Sequence, residues 1–223
     1  MDIFTEYEKE FAELVKNYEK TKYFRERLCP DQYVGNIEQP EHWNSFKRNP
    51  IFGNEWNVQN VQNVPMEKNI MIMILESPHK KEFDKDGTPL GPAMGQTGIN
   101  IRKHIWEIFG PLCRNSHLIL MNAIPFQCSL GEATKLHLND VFANAWKNET
   151  IGKTFFMDRL DLLLQKLSRK DIVIVNACTE NEKTFRREKI TKAITEIVGG
   201  IKIYGTTHPS SWRGPNNRFF EEI

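Results

Sequence analysis

Four short apolar runs constrain the fold of this chain more than any other feature of its sequence. The first, Asn69–Leu75, reads NIMIMIL, and similar runs follow at residues 117–121, 171–175 and 201–204. Continuous apolar runs of this length are typical of strands that are covered on both faces. Patterns with helical spacing lie at residues 99–109, 155–168 and 180–198. Buried strands that alternate with helices predict an α/β fold, in three α/β/α layers around a central four-stranded parallel sheet.

The residues before the first run predict an N-terminal helical extension. Residues 2–28 are charged, with apolar residues such as Tyr7, Phe11 and Leu14 at the spacing of an amphipathic helix. Residues 29–66 are rich in Asn, Gln and Pro and predict an extended arm. We therefore expect two units, a helix and arm over residues 1–66 and the core over residues 67–223, with the first packed on the second.

Charge and cysteine content narrow the possible partners. The 223 residues include 30 basic and 29 acidic side chains, which give a formal net charge of +1. Any nucleic-acid surface must therefore be a local basic patch. The four cysteines form no C-x-x-C pair, so we expect no metal, iron–sulfur cluster or other cofactor. Without a signal peptide or a membrane-spanning run, a monomeric cytoplasmic protein with free thiols is expected.

Polar residues follow each of the four apolar runs. Glu76 follows the first, Asn122 the second and Asn176 the third, and His208 comes shortly after the fourth. Each of these residues alone is usually a cap or turn residue. Parallel strands share a direction, however, so all four side chains would lie at the edge of the sheet where such folds bind ligands. Together they favour an active site.

The motifs that contain these residues occur in a recognisable order. The chain reads ESPH at residues 76–79, with Glu82 and then GTPLG at residues 87–91, a strand ending in Asn122, and HPS at residues 208–210. This order resembles the uracil-DNA glycosylase superfamily. Its iron–sulfur branch carries G-E-A-P-G, an acidic residue, G-x-P-F-x-G-x-x-G, a strand ending in Asn, and H-P-S. The resemblance covers about residues 69–214. It implies that residues 67–223 form the catalytic domain of a DNA glycosylase, whose partner is DNA.

The resemblance and the chemistry of base excision assign roles to these residues. Glu76 is expected to stabilise the positive charge that develops on the sugar and to position the attacking water. His208 is expected to donate a hydrogen bond to the oxygen of the departing base. Asn122 offers both a donor and an acceptor to the edge of a flipped pyrimidine. The remaining residues predicted to contact the base are Ser77, Pro78, His79 and Leu90.

A further set of residues is predicted to contact DNA. The glycines of the loop at residues 87–98, Gly95 and Gly98 among them, would let the backbone approach the substrate. Trp212 has two interpretations, a wedge that fills the gap left by the flipped base or a buried core aromatic. Arg213 could hold a phosphate. Ser210 and Ser211 complete the predicted DNA contacts. The basic residues of the helix at 180–198 (Lys183, Arg186, Arg187, Lys189 and Lys192) fit a solvated face better than a DNA contact.

Several positions depart from the family pattern, so the sequence does not determine which base is excised. Leu90 replaces the usual pocket aromatic, His79 replaces Tyr or Gly, and Leu75 replaces the Gly before the motif Glu. The substrate is therefore either uracil or a 5-modified pyrimidine, for instance in phage DNA, so that the role is either DNA repair or antiviral defence. Two other readings remain: a non-catalytic nucleic-acid-binding module of the same fold, and a hydrolase of small nucleosides.

Overall fold

The computed structural model of the chain describes residues 3–43, 69–131, 136–167, 171–180 and 186–223. Its helices are α1 (Ile3–Leu14), α2 (Gln96–Phe109), α3 (Leu138–Lys147), α4 (Lys153–Lys166) and α5 (Arg186–Ile197). Its strands are β1 (Gln32–Asn36), β2 (Asn69–Leu75), β3 (Ser116–Asn122), β4 (Ile172–Asn176), β5 (Lys202–Thr206) and β6 (Phe220–Glu222). None of the helices within these ranges is long and apolar enough to cross a membrane.

The strands form one mixed sheet in the order β1-β3-β2-β4-β5-β6. The inner strands β3, β2, β4 and β5 pair in parallel, whereas β1 and β6 are antiparallel to their neighbours. The predicted α/β class is confirmed, but the prediction of a four-stranded parallel sheet is wrong, because the sheet has six strands and is mixed. The two additional strands, QYVGN and FEE, are short and lie at the edges of the sheet. They lack the continuous apolar sequence that marks a strand buried on both faces.

Alternate side chains of β2 point into two separate apolar clusters. Ile70, Ile72 and Ile74 belong to one cluster, which also contains buried residues of α1, α3, α4 and α5. Met71 and Met73 belong to the other, which contains the buried face of α2. Helices therefore pack against both faces of the sheet, and this explains why β2 is apolar throughout.

The N-terminal helix is shorter than the predicted helix over residues 2–28. Helix α1 ends at Leu14, and the chain beyond it makes tertiary hydrogen bonds. Thr21 donates to the carbonyl of Leu130 through its hydroxyl, and the backbone N–H of Cys29 donates to the carbonyl of Pro125. These contacts replace the helical hydrogen bonds. The predicted arm over residues 29–66 contributes β1 to the sheet, and residues 44–66 lie outside the described residues.

Helix α3 has no counterpart among the predicted elements. Its sequence nevertheless places Leu138, Val141, Phe142, Ala145 and Trp146 at helical spacing, and the last four are buried. This periodicity was available in the sequence. The helix packs in the same cluster as α1.

A buried ion pair ties the N-terminal segment to the core. The guanidinium of Arg159, in α4, donates from Nε and Nη2 to the two carboxylate oxygens of Asp31, at 3.0 and 2.7 Å. Nη2 also donates to the backbone carbonyl of Asn122, at 2.6 Å. Burial raises the pKa of Asp31, although the Arg159 charge acts in the opposite direction. A charge in this position is stable only with its partner, so the pair fixes where the N-terminal segment meets β3.

We expect Arg159→Met to destabilise the chain by about 3–5 kcal/mol, because it leaves the buried Asp31 carboxylate without its cation. Lys153→Met is the matched control on the same helix, since Lys153 pairs with Glu196 at the surface. Exposed pairs contribute about 0–1 kcal/mol. Urea unfolding of both variants tests this prediction, and equal losses of unfolding free energy would contradict it.

Candidate active site

A cleft of about 370 Å³ lies at the carboxyl ends of the parallel strands. This volume falls in the range of roughly 300–1,000 Å³ that is usual for small-molecule sites. The cleft is formed by the segments that follow β2 and β5, by the start of α2, and by residues from the segments after β3. Its lining residues are Leu75, Glu76, Ser77, Pro78, His79, Lys81, Glu82, Gly95, Gln96, Thr97, Ser129, Leu138, His208 and Ser210.

The Glu76 carboxylate is buried at the end of β2 and is held by two groups. Its Oε1 accepts a hydrogen bond of 2.5 Å from the backbone N–H of Thr179. The same oxygen lies 3.2 Å from Nε of Arg186, and both side chains of this ion pair are buried. A buried carboxylate needs such compensation to keep its charge. The arrangement fixes the position of a negative charge in the cleft wall.

His208 presents a neutral imidazole with a defined tautomer. Its Nδ1 accepts from the backbone N–H of Ser210 at 3.3 Å and lies 2.8 Å from the Ser210 hydroxyl. A backbone N–H can only donate, so Nδ1 is unprotonated and the proton is on Nε2. Burial lowers the pKa of His208, with a smaller lowering by Arg186 and an opposing effect of Glu76. A neutral ring with a protonated Nε2 is the form that was expected to donate to a departing base.

Side chains of α2 and of Trp212 donate hydrogen bonds to the backbone of the turn that carries His208. Asn100 Nδ2 donates to the carbonyl of Pro209 at 2.8 Å. The indole N–H of Trp212 donates to the carbonyl of Thr207 at 3.1 Å, and the side chain is 0% exposed. Of the two interpretations of Trp212, the buried core aromatic is therefore the one that the structure supports. A wedge at this position would require the side chain to leave the core.

Glu82 is a second buried carboxyl group in the cleft, and its place in the sequence motifs indicated no role for it. Burial raises the pKa of Glu82 to about 8. Polar contacts lower it but do not offset burial, and they come from the backbone of His79 and Ala93 and from the side chains of Asn122 and Cys29. No cation of the described residues forms an ion pair with it. Glu82 therefore carries a proton near neutral pH and offers both a donor and an acceptor.

Asn122 lies behind the cleft rather than in its wall. The side chain is 1% exposed, and among the described residues neither Oδ1 nor Nδ2 has a hydrogen-bond partner of good geometry. Its amide lies near enough to Glu82 to lower the pKa of that carboxyl. Asn122 thus supports the group that faces the cleft. The hydroxyl of Ser129, which does line the cleft, also lacks a partner within the described residues.

The other predicted site residues divide into two groups. Ser77, Pro78, His79, Gly95 and Ser210 line the cleft together with Glu76 and His208. Burial is the largest effect that lowers the pKa of His79, followed by Lys80 and Lys81. Besides Asn122 and Trp212, four predicted residues do not line the cleft: Leu90 is half-buried, Gly98 is buried within α2, Ser211 donates to the His208 carbonyl, and Arg213 is exposed.

The basic helix α5 is not simply a solvated face. Arg186 is buried and pairs with Glu76, and its Nη1 donates to Asn139 Oδ1 at 2.6 Å. Arg187 donates to the carbonyls of Cys178 and Thr206. The solvated interpretation is therefore wrong for both arginines. The sequence did not indicate these contacts, because the spacing of basic residues does not show which of them pairs with a buried carboxylate. Lys183 lies outside the described residues.

Asn176, at the end of β4, has a structural role. Its Nδ2 donates to the Arg187 carbonyl and to the Thr191 hydroxyl, and its Oδ1 accepts from the Cys178 N–H. Through these hydrogen bonds the Asn176 side chain attaches α5 to the end of β4. Within the described part of the chain, no group of three or more His, Cys, Asp or Glu side chains could hold a metal ion.

Comparison of the chain with protein-family models, with curated proteins and with solved structures finds no match in any of the three.

The raised pKa of Glu82 predicts a specific dependence of stability on pH. Between pH 4.5 and about 8, folded Glu82 keeps a proton that the unfolded chain has released. The free energy of unfolding contributed by this group therefore falls as pH rises through that window. Glu82→Gln is neutral at every pH and lacks this effect.

We expect the stability of Glu82→Gln relative to wild type to increase from pH 5 to pH 8.5, as measured by urea unfolding. Because both proteins share all other titrating groups, the difference isolates Glu82. A difference that stays constant across this range would show that the carboxyl titrates normally.

Proposed function

We propose that this chain is a DNA glycosylase that hydrolyses the N-glycosidic bond of a pyrimidine nucleotide flipped out of DNA. One observation carries the proposal: Glu76 and His208, which are far apart in the sequence, line the same cleft. The order of motifs that resembles the uracil-DNA glycosylase superfamily supports the same reaction.

Glu76 and His208 lie 132 positions apart in the sequence, and they meet because both follow parallel strands of one sheet. The reaction adds water across the bond between the sugar carbon and the base nitrogen. The hydroxyl goes to the sugar carbon, and the base leaves with the bonding electron pair and takes up the proton. The Glu76 carboxylate is suited to stabilise the positive charge on the sugar and to orient the water, while Nε2–H of His208 is suited to bind the oxygen of the departing base.

The polar groups of the cleft also support a pyrimidine as the base. Glu82, protonated near neutral pH, presents a donor and an acceptor on one carboxyl group, much as a side-chain amide would. This pair can match the edge of uracil or of a cytosine-like base. His79 stands beside it in the lining, where relatives of the resembled family have Tyr or Gly. The proposed substrate therefore remains uracil or a 5-modified pyrimidine, and the proposed role is repair or antiviral defence.

The burial of Trp212 favours one second candidate. A hydrolase of small nucleosides would use the same cleft but would need no wedge, and the one residue proposed as a wedge is in the core. The two candidates differ in substrate size, so activity on free nucleosides and on oligonucleotides separates them.

We expect wild type to form abasic sites in at least one member of a panel of oligonucleotides that contain uracil, thymine mismatches or 5-modified cytosines. Glu76→Gln and His208→Asn should each lower the single-turnover rate by roughly 100-fold or more, because each removes a group that acts on developing charge. Alkaline cleavage of the abasic site measures the rate.

Two exposed residues provide matched controls for these variants. Glu188→Gln and His42→Asn make the same chemical changes at exposed positions, and they should retain wild-type rates. If wild type binds the oligonucleotides but forms no abasic site, the chain is a binding module and the proposal is wrong. Release of bases from free nucleosides alone would establish the second candidate instead.

The two titrating groups of the cleft predict a bell-shaped dependence of the rate on pH. His208 must be neutral, and its lowered pKa places the acid limb below the ordinary histidine value of 6.5. Glu82 must be protonated, so the rate should fall as pH rises through about 8. In Glu82→Gln the alkaline limb should disappear while the acid limb remains. An acid limb at or above pH 6.5 would contradict the role of a neutral His208.

A further inference from the structure

An exposed tyrosine lies against two lysines from different parts of the chain. Tyr23, which precedes β1, is 46% exposed. The ammonium of Lys22 lies 5.0 Å from the centroid of its ring, and that of Lys80 lies 4.5 Å from the same centroid. Both distances are within the range of about 6 Å for a cation–π contact. The three side chains thus form one aromatic and cationic surface, called here the Tyr23 surface.

The Tyr23 surface adjoins the cleft directly. Lys80 begins the 3-10 turn Lys80–Glu82, and the remaining two residues of that turn, Lys81 and Glu82, line the cleft. His79, just before the turn, also lines it. A polymer with one unit bound in the cleft would therefore have its neighbouring units within reach of Tyr23.

The backbone beneath the surface is held in place. The Arg25 guanidinium donates to the carbonyls of Lys22 and Phe24 and, across the surface, to that of Lys85. The Thr21 hydroxyl donates to the carbonyl of Leu130. The segment that carries Tyr23 is thus attached both to the loop after β2 and to the loop after β3. A backbone fixed in this way loses little conformational entropy when the surface binds a ligand.

No carboxylate of the described residues neutralises the lysines of this surface, or Lys81 beside it. Lys22, Lys80 and Lys81 make no ion pair with a carboxylate of the described residues. Lys20, by contrast, pairs with Glu26 at 2.9 Å. Because the chain has a net charge of only +1, an anionic polymer must be bound by a local patch of this kind.

We propose that the Tyr23 surface binds the DNA strand beside the nucleotide in the cleft. A base stacks on the Tyr23 ring in place of a lysine ammonium, and Lys22, Lys80 and the adjoining Lys81 bind phosphates. Aromatic stacking combined with neighbouring cations is the usual means by which proteins bind an unpaired strand. The inference rests on the proposed function, since it takes DNA as the substrate. It places strand recognition on the N-terminal segment rather than at Trp212, which is in the core.

Binding to an oligonucleotide that contains no excisable base tests the surface separately from catalysis. Fluorescence anisotropy with the full chain and a labelled single strand of unmodified DNA gives the Kd at several salt concentrations. Tyr23→Ala should weaken binding roughly 5- to 100-fold, because it removes the stacking platform. Tyr23→Phe keeps the ring and should bind as wild type does.

The lysines are tested by the salt dependence of binding. Lys22→Gln/Lys80→Gln should reduce the slope of log K against log salt by about 1.4, since each phosphate contact on a single strand contributes about 0.7. Lys202→Gln is the charge-matched control, because Lys202 begins β5 at the opposite end of the strands from the cleft. It should leave the slope nearly unchanged. Thermal unfolding of each variant checks that the surface substitutions leave the fold intact.

The outcomes separate this inference from the proposed function. Wild-type Kd and salt slope in Tyr23→Ala and in the lysine pair would overturn the Tyr23 surface, even if the chain excises bases. Failure of wild type to bind any oligonucleotide would also overturn it. So would substitutions that change the binding of a free mononucleotide but not of an oligonucleotide. If wild type binds through this surface but never forms an abasic site, the inference stands and the glycosylase proposal fails.

Discussion

The parallel pairing of β2 with both of its neighbours is the constraint on which the site depends. Leu75 is in register with Asn122 of β3, and Ile74 with Asn176 of β4. Backbone hydrogen bonds continue this alignment beyond the strand ends, from Ala123 to Leu75 and from Ala177 to Ile74. The chain segments that leave the sheet are therefore held at one level. A cleft forms there because parallel strands must all exit at the same edge before their connections diverge.

Burial then gives the two carboxyl groups of the cleft different environments. Glu76 meets the Arg186 guanidinium and a backbone N–H, whereas Glu82 meets no cation among the described residues. The first arrangement supports a negative charge and the second favours a proton. Two carboxyl groups on one cleft can thus serve different chemical purposes, and their surroundings assign these purposes.

The N-terminal segment, predicted from the sequence as an extension, also supports the cleft. Cys29 lies 3.9 Å from the Glu82 carboxyl, and Asp31 binds Arg159, which also holds the Asn122 carbonyl. Phe11 stacks on Phe126 in the segment after β3. Residues 3–43 therefore form part of the sheet, the core and the support of the cleft. This explains how a segment outside the resembled motifs can affect the chemistry within them.

The sequence by itself determined the α/β class, the four inner strands and the positions of Glu76 and His208 at strand ends, because continuous apolar runs and the polar residues after them are local features. It did not determine the edge strands, the ion pair between Arg186 and Glu76, the proton on Glu82 or the burial of Trp212. Each of these depends on residues far apart in the chain. Burial and pairing arise only when distant segments pack together, so a local pattern could not distinguish a buried arginine from a solvated one, or a wedge from a core aromatic.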